Sequence, residues 1–357
     1  MEQAVGVRIA LAGIGNCAAA LAQGLGYYRD MGDTREGLMQ PEIGGYQPGD
    51  IEIVCAFDVA EGKVGQPLGE ALTAAPNNTL RFAEPPESGV VVERGPTLDG
   101  LGPSLRQLVR ESRAEAVDVA AALRAARAHV LVSFLPVGAD QASRYYADAA
   151  LRAGCGFVNC IPSFIASDPM WVQRFAERGL PLIGDDVKSQ FGATILHRAL
   201  ATLMRERGIK VERTYQLNVG GNADFQNMLD RDRVASKKLS KTRAVASLLD
   251  ATEAGNVHVG PSDHVAWLAD RKCAFIRLEG AGFGGAPLSL ELKLEVWDSP
   301  NSAGVVIDAV RLAKLALDRG EGGALLGPCA YLMKSPPAPM PDAVARAAML
   351  AFAMGRA

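Results

Sequence analysis

The fold is decided by the N-terminal stretch Val7-Arg8-Ile9-Ala10-Leu11-Ala12-Gly13-Ile14-Gly15-Asn16-Cys17-Ala18. Its first six residues form a mostly apolar run, which is typical of a buried strand in a parallel sheet. A glycine-rich turn follows at once, and residues 18–27 are compatible with a helix. This order predicts a dinucleotide-binding unit in which Gly13 makes the tight turn and Gly15 lets backbone approach a pyrophosphate. An ordinary structural turn is the alternative.

A second apolar run, residues 51–57, ends in Asp58. A carboxylate at the end of the second strand of such a unit accepts hydrogen bonds from the adenosine ribose, which favours NAD over NADP. The usual separation is about 20 residues after the motif, whereas Asp58 lies 40 residues after Ala18 (58 − 18). The excess, residues 28–50, contains Gly and Pro and is predicted to be a loop near the cofactor.

Strands and helices alternate through the next part of the chain. Apolar runs predict strands, and amphipathic or alanine-rich runs predict helices; the strands fall at 90–92, 129–133, 157–160 and 180–183, and the helices at 117–128, 141–153, 171–178 and 193–207. Alternation of this kind predicts an α/β fold with a doubly wound, Rossmann-type parallel sheet.

The pattern changes after residue 207. A strand at 214–219 and a polar helical stretch at 225–249 come first, and residues 288–296 then alternate apolar and polar side chains without a break. That alternation is typical of an antiparallel strand with one face on a core. Helices at 302–319 and 341–354 are expected to return to the first unit. We therefore predict a Rossmann domain, residues 1–192 completed by 299–357, with an inserted α+β domain at 193–298.

Composition excludes several classes of protein. The 357 residues are 48% hydrophobic and carry a formal net charge of -3, which argues against a nucleic-acid or membrane-surface protein. No run approaches the roughly 20 apolar residues of a membrane helix, and no secretory signal pattern is visible. The six cysteines are scattered, with no Cys-x-x-Cys pair. Reduced thiols in a cytoplasmic protein are therefore expected, without a zinc motif.

Residues 184–194, Gly-Asp-Asp-Val-Lys-Ser-Gln-Phe-Gly-Ala-Thr, join a predicted strand to a predicted helix. The loop carries two carboxylates, a lysine and a serine, and Thr194 is placed to cap the helix. Backbone N–H groups at a helix start, next to small residues, can form an anion site. A plain strand-to-helix turn is the alternative.

Several lysines stand out. Lys237 and Lys241 are four residues apart, on one face of a predicted helix. Like charges at that spacing repel, which disfavours the helix slightly unless an anion lies between them. A solvated basic face is the interpretation that an arbitrary helix of this kind favours. Lys272 and Lys334, each taken alone, are equally compatible with a surface position.

Taken together, these stretches resemble the myo-inositol-1-phosphate synthase family, in its shorter prokaryotic form. The resemblance extends from Val7 to about Pro337. It rests on nine ordered stretches: Gly13-Ile14-Gly15-Asn16-Cys17-Ala18, Arg94-Gly95-Pro96-Thr97-Leu98-Asp99-Gly100, Leu135-Pro136-Val137-Gly138, residues 184–194, Leu217-Asn218-Val219-Gly220-Gly221-Asn222, residues 236–241, residues 260–264, Trp297-Asp298-Ser299-Pro300-Asn301-Ser302-Ala303-Gly304 and residues 331–336.

The resemblance implies an isomerase that converts D-glucose 6-phosphate to 1D-myo-inositol 3-phosphate and returns its NAD. In this family C5 is oxidised, C6 is enolised, the enolate attacks the C1 aldehyde, and the ketone is reduced again. It also implies a homotetramer, with the inserted domain supplying lysines and an interface. Two rivals remain open: a net NAD(P)-dependent dehydrogenase of the homoserine or aspartate-semialdehyde type, and a non-catalytic NAD-binding sensor.

The family's roles are carried over position by position. The active-site lysines match Lys237, Lys241, Lys272 and Lys334. The first and last would manage the C5 oxygen and its proton, and the other two would stabilise the phosphate and the C1 oxyanion. Asp186 and Asp298 match carboxylates near nicotinamide and substrate, which could orient lysines or hold a divalent or monovalent cation.

The remaining assignments concern the phosphate and the cofactor. The phosphate site is matched by Ser189, Gln190, Thr194 and Lys241. The cofactor site is matched by Gly13, Ile14, Gly15, Asn16, Cys17, Asp58, Asp99 and Pro136. Cys17 is interpreted as a small packing residue of the cofactor loop and not as a nucleophile.

Overall fold

The structure is a computed structural model that describes residues 6–30, 35–85, 87–230, 233 and 256–355. Its strands are β1 Val7–Ala12, β2 Ile51–Asp58, β3 Glu93–Arg94, β4 Val130–Ser133, β5 Gly156–Asn159, β6 Pro181–Ile183, β7 Lys210–Gly220, β8 Val257–His264, β9 Arg271–Ala281, β10 Pro287–Trp297 and β11 Gly323–Ala324. Seven of them form one parallel sheet in the order β11-β6-β5-β4-β1-β2-β3. The other four form a mixed sheet.

The α-helices of the described residues are α1 Asn16–Asp30, α2 Leu68–Thr73, α3 Val119–Ala125, α4 Asp140–Ala153, α5 Pro169–Glu177, α6 Ala193–Glu206, α7 Ala223–Asn227, α8 Asp298–Arg319, α9 Leu326–Leu332 and α10 Asp342–Ala353. Helices α1 and α8 cover one face of the parallel sheet, and α3, α4 and α5 cover the other. Within these ranges no helix is long and apolar enough to cross a membrane.

The parallel sheet confirms the predicted doubly wound α/β fold. Its strands are buried on both faces, which explains their continuous apolar runs. The edge at β3 differs from the prediction of a strand at 90–92. The strand instead is Glu93–Arg94, which pairs with the end of β2, while Val91 is half exposed and forms a single bridge to Pro67.

The strand order reverses between β1 and β4, because β2 lies on one side of β1 and β4 on the other. At such a switch point the loops after the strands diverge and leave a crevice outside their carboxyl ends. The chain returns to this sheet late: β11 pairs with β6, and α8 packs beneath β1, β4, β5 and β6. Helix α8, which contains the apolar periodicity of residues 302–319, thus lies against the parallel sheet.

The second sheet has the order β10-β9-β7-β8, with β10, β9 and β7 antiparallel and β7 parallel to β8. The alternation predicted for residues 288–296 is confirmed, since every second residue of β10 is exposed. The inward leucines of β10 pack with Ala274, Ile276 and Leu278 of β9 and with α6. This small core holds β9 in place, and β9 begins close to the crevice.

One local prediction in this region is wrong, and another is tested only in part. Helix α6 begins after Gly192 as its N-cap residue, and Thr194 lies inside its first turn and makes no cap. At the start of the helical stretch expected at 225–249, α7 ends at Asn227; the Asn222 side chain caps its N-terminus by accepting from the N–H groups of Asp224 and Phe225. The rest of that stretch lies outside the described residues, apart from 228–230 and 233.

The insertion at 28–50 is predicted to lie near the cofactor. None of its described residues lines the crevice, but Gly37 accepts a hydrogen bond from the Gln190 side chain of the 184–194 loop at 2.8 Å. Residues 35–50 pack against α8, where Arg311 is fully buried. The Arg311 guanidinium donates to the carbonyls of Gln40, Pro41 and Tyr46 at 2.7, 3.2 and 3.1 Å, and to Asp308 Oδ1 at 2.6 Å. One buried side chain thus fastens residues 40–46 of the insertion to the helix.

The second unit contains a buried histidine that should make stability pH-dependent. His197 of α6 is fully buried against Thr214 Oγ1 at 2.6 Å and Gln216 Oε1 at 3.3 Å, and desolvation lowers its pKa to about 4. Below about pH 6.5 the unfolded chain binds a proton at this site and the folded chain does not. Stability should therefore be lost as the pH falls from about 6.5 to about 4, by up to about 1.4 kcal/mol per pH unit.

The measurement is urea unfolding at pH 7 and pH 4.5 for the wild type and for His197→Gln, which keeps polar groups and does not titrate. We expect the variant to lose less stability than the wild type on acidification. Equal losses in the two proteins would show that His197 does not remain neutral in the fold.

Candidate active site

The crevice is built around the glycine loop after β1. Gly13 has φ +92°, and a Cβ there would lie 2.7 Å from the Phe134 carbonyl oxygen, so only glycine fits. At Gly15 a Cβ would meet nothing within 4 Å. That space lies over the start of α1, where free N–H groups and the helix dipole favour an anion. The loop therefore fits the pyrophosphate of a dinucleotide.

Asp58 at the end of β2 holds this loop in shape. Its Oδ2 accepts the Ile14 N–H at 2.7 Å, and its Oδ1 accepts the N–H groups of Val59 and Ala60 at 2.7 and 2.9 Å. Asp58 also lines the crevice. A carboxylate in this position is both a support for the glycine loop and an acceptor for ribose hydroxyls.

Lys63 lies under the same loop and was not found from the sequence. It is 3% exposed, and its Nζ donates to the Ile14 carbonyl at 2.7 Å and to Asn77 Oδ1 at 2.9 Å. Burial lowers its pKa, and the nearby Asp58 carboxylate opposes that effect. No local motif surrounds this lysine, because its partners are brought to it by the fold.

One cavity of about 260 Å³ joins the cofactor half to the lysine half of the crevice. From the first sheet it is lined by the glycine loop, Asp58, and Pro136 after β4. From the other side it is lined by Asp186, Lys272, Asp298 and Lys334. The structure therefore brings together residues that are up to about 320 positions apart in the sequence (334 − 13).

Lys334 and Asp186 form the first of two lysine–carboxylate pairs. Lys334 Nζ lies 2.8 Å from Asp186 Oδ1, and the side chains are 12% and 4% exposed. Asp186 has φ +62°, in the left-handed region that costs a non-glycine residue about 1–3 kcal/mol. Its backbone is held there by bonds to the Ile161 carbonyl and the Lys334 N–H at 3.1 and 2.7 Å.

The neighbouring Asp185 fixes this loop from below. Its buried carboxylate accepts from Asn159 Nδ2 at 2.7 Å, from Ser167 Oγ at 2.6 Å, and from three backbone N–H groups of residues 165–167. Burial raises its pKa to about 6, although these bonds favour the charged form. The two carboxylates of the loop thus have different tasks, since Asp185 is structural and Asp186 faces the cavity.

Lys272 and Asp298 form the second pair. Lys272 is the second residue of β9, and Asp298 is the first residue of α8. Lys272 Nζ lies 3.0 Å from Asp298 Oδ1, and the side chains are 16% and 18% exposed. Two ammonium groups in one partly dehydrated cavity can stabilise negative charge that develops on a substrate, because solvent screens them weakly there.

Comparison with known proteins decides the family. A chain from Corynebacterium glutamicum named inositol-3-phosphate synthase is 58% identical over 354 residues, covering 97% of this chain and 98% of that one. A chain of the same name from Mycolicibacterium smegmatis is 55% identical and covers 99% of each. The chain belongs to the myo-inositol-1-phosphate synthase family. The family model with that description matches residues 192–299.

Two solved structures share this fold over nearly the whole chain. The crystal structure of Ari2 is 37% identical, has a TM-score of 0.80, and covers 98% of this chain and 99% of its own. The crystal structure of a myo-inositol-1-phosphate synthase-related protein from Thermotoga maritima is 27% identical, has a TM-score of 0.80, and covers 98% of each chain. The likeness therefore includes both sheets of this molecule.

Among the described phosphate-site residues predicted from the family, Ser189 lines the cavity, and Gln190 and Thr194 do not. The Gln190 side chain donates to the Gly37 carbonyl at 2.8 Å, and Thr194 is buried in α6. Lys237 and Lys241 lie outside the described residues. The phosphate assignments of Ser189, Gln190, Thr194 and Lys241 stay predictions.

Two cofactor residues predicted from the family differ in their surroundings. Asp99 does not line the cavity; its carboxylate accepts the N–H groups of Gln141 and Ala142 at 2.8 and 2.9 Å, at the start of α4. Cys17 does line it, and burial raises its thiol pKa to about 12. A thiol with that pKa is not a nucleophile near neutral pH, in agreement with its interpretation as a packing residue.

The carboxylates proposed as cation ligands in this synthase are engaged by lysines. Within the described ranges, no group of three or more His, Cys, Asp or Glu side chains is placed to hold a metal ion. Asp186 and Asp298 instead lie against Lys334 and Lys272. The interpretation of these carboxylates as residues that orient lysines is the one that the geometry supports.

Proposed function

We propose that this chain is an inositol-3-phosphate synthase that isomerises D-glucose 6-phosphate to 1D-myo-inositol 3-phosphate. The observation that carries the proposal is the single cavity that holds the glycine loop and both lysine–carboxylate pairs. The family membership and the names of relatives at 58% and 55% identity support it. Substrate and product have the same composition, so the reaction needs no net oxidant.

The cofactor in this proposal is NAD. Bound NAD would supply the acceptor and later the donor of hydride at C5. The chain contributes the glycine loop and the start of α1 for the pyrophosphate, and Asp58 for the ribose hydroxyls. Asp58 would repel a ribose phosphate, which is why NAD is proposed over NADP.

The lysines act on the sugar oxygens. When C5 is oxidised, its hydroxyl must lose a proton. In this proposal the Lys334 ammonium passes a proton to the Asp186 carboxylate, and the resulting amine takes the proton of the hydroxyl. When the enolate attacks C1, negative charge develops on the C1 oxygen, and Lys272 beside Asp298 is placed to stabilise it. The carboxylates keep the ammonium groups oriented toward the cavity. Lys237 is proposed to assist at C5 and Lys241 at the phosphate, together with Ser189, Gln190 and Thr194.

We also propose that the enzyme is a homotetramer that uses the second sheet as an interface. Several aromatic side chains of this unit are exposed, including Tyr215 and Phe275 on the face opposite α6, and Trp267 and Phe283 beyond it. Exposed aromatic residues are enriched at subunit interfaces.

The six free cysteines of the chain fit a reducing compartment such as the cytoplasm.

The proposed activity is tested by phosphorus NMR of the purified protein with glucose 6-phosphate and a catalytic amount of NAD. We expect a new phosphomonoester signal that matches inositol phosphate, with no accumulation of NADH. Stoichiometric NADH without that product would instead establish a dehydrogenase. Binding of NAD without any conversion of the sugar would favour a non-catalytic sensor.

A further inference from the structure

We propose that Asp270 is a positioning residue that couples the cofactor loop to the Lys272–Asp298 pair. The inference rests on the proposed function and assigns a role to a side chain that no motif identified. Asp270 lies just before β9 and is fully buried. It does not line the cavity, but three of the four residues that its carboxylate contacts do: Asn16, Asn222 and Ser299.

The Asp270 carboxylate collects donors from four separate segments. Its Oδ1 accepts from Asn16 Nδ2 at 3.0 Å, Asn222 Nδ2 at 2.9 Å and Ser299 Oγ at 2.9 Å. Its Oδ2 accepts from Thr79 Oγ1 at 2.6 Å and from the Ser299 N–H at 3.2 Å. A hydrogen bond to a charged acceptor is roughly twice as strong as one between two neutral groups.

On the cofactor side these bonds fix the loop through Asn16. Asn16 is the first residue of α1 and follows Gly15 directly. Its amide is also held by residue 78, because Nδ2 donates to Asn78 Oδ1 at 2.7 Å and Oδ1 accepts the Asn78 N–H at 2.8 Å. Thr79, next to Asn78, ties the same segment to Asp270. These hydrogen bonds therefore fix Asn16, the residue at which the glycine loop passes into α1.

On the catalytic side the same carboxylate fixes the start of α8. Ser299 donates to Asp270 through both its backbone and its hydroxyl, and the Asp298 N–H donates to the Asp270 carbonyl at 2.9 Å. Asp298 is the partner of Lys272, which lies two residues after Asp270. A shift of Asp270 would consequently move both members of that ion pair.

Burial makes this arrangement hard to replace. Desolvation and the nearby Asp298 charge raise the pKa of Asp270, and the bonds from Thr79, Asn222 and Ser299 oppose that rise. The donors are thus matched to a charged carboxylate. An amide in its place would present an N–H₂ group to part of these donors. Depending on its orientation, either the Ser299 N–H or the Asn16 and Asn222 amides would lose their acceptor.

The test compares Asp270→Asn and Asp270→Ala with the wild type in three measurements: the dissociation constant for NAD without substrate, kcat and KM for glucose 6-phosphate, and the melting temperature. For Asp270→Ala we expect NAD affinity to fall about 10-fold or more and kcat to fall about 10- to 100-fold. KM for glucose 6-phosphate should change little. Asp270→Asn should lie between the alanine variant and the wild type.

Asp308→Asn is the matched control. Asp308 is equally buried, but it pairs with Arg311 on α8 and does not line the cavity. The control should lower the melting temperature and leave NAD affinity and kcat unchanged. If Asp270→Ala behaves in the same way as the control, Asp270 is only structural and the inference is wrong.

The coupling is measured with Thr79→Val and Ser299→Ala, which each remove one hydroxyl donor of the Asp270 carboxylate. The same two variants test the proposal if Asp270→Ala does not fold. We expect each to weaken NAD binding by a few-fold, and the double variant to lose less than the product of the two effects, because both donors act through one carboxylate. Strict additivity would overturn the coupling. These binding data stand apart from the proposed function, which would fail only if the wild type made no inositol phosphate.

Discussion

Replacing Lys334 with methionine is expected to lower kcat by about 100- to 1,000-fold, the cost of removing one preorganised charged group from a reacting centre. Lys334 lies 2.8 Å from Asp186 in the cavity and is proposed to take the C5 hydroxyl proton. NAD binding should be retained, since the glycine loop is held by Asp58 and Lys63, whereas the Lys334 ammonium donates to Asp186. Steady-state kinetics and NAD titration measure the two quantities separately.

Two further substitutions sharpen this result. Lys334→Arg keeps the positive charge but cannot release a proton near neutral pH, so it should be almost as inactive as the methionine variant if proton transfer is the role of Lys334. Lys293→Met is the control, because Lys293 is an exposed lysine of β10 outside the cavity. Wild-type turnover in Lys334→Met would remove this lysine from the catalytic machinery.

Replacing Arg311 with methionine is expected to destabilise the fold by about 3–5 kcal/mol, a large fraction of a total of about 5–15 kcal/mol. The substitution leaves the buried Asp308 carboxylate without its cation. It also leaves the carbonyls of Gln40, Pro41 and Tyr46 without their donor. Urea unfolding at pH 7 measures the loss.

Removing both charges should recover part of that stability. In Arg311→Met with Asp308→Asn the uncompensated carboxylate is gone, and desolvation already raises the pKa of Asp308 to about 6. Lys314→Met is the comparison variant and should lose less stability. Lys314 donates to the Tyr46 hydroxyl and pairs with Asp318, which is half exposed. A loss for Arg311→Met no larger than that for Lys314→Met would show that the insertion is fastened elsewhere.

Most of the parallel sheet could be predicted because its strands are buried on both faces. β1, β2, β4, β5 and β6 each coincide within a residue or two with an apolar run, and β10 with an unbroken alternation. The two edge strands could not be predicted. β3 and β11 are two residues each, and their positions are set by pairing with β2 and β6 and not by their own composition.

The residues of the candidate site also fall into those that the sequence predicts and those that it does not. The glycine loop, Asp186, Asp298 and Lys334 could be assigned because each lies in a recognisable stretch, and Lys272 because it follows the stretch 260–264. The fold brings these residues to one cavity. Asp270 and Lys63 were missed because their roles depend on distant partners. Asp270 and Asn16 are 254 residues apart, and Thr79 is 191 residues from Asp270. No pattern within a short window of sequence carries that information.

The late return of α8 to the first sheet has a consequence during synthesis on the ribosome. When β6 has emerged, α1 and the faces of β1, β4 and β5 still lack the helix that covers them, because α8 ends 136 residues later (319 − 183). At about 5–20 residues per second the nascent chain exposes this surface for on the order of ten seconds. Apolar surface of the first half of the protein therefore stays uncovered until translation supplies the missing helix.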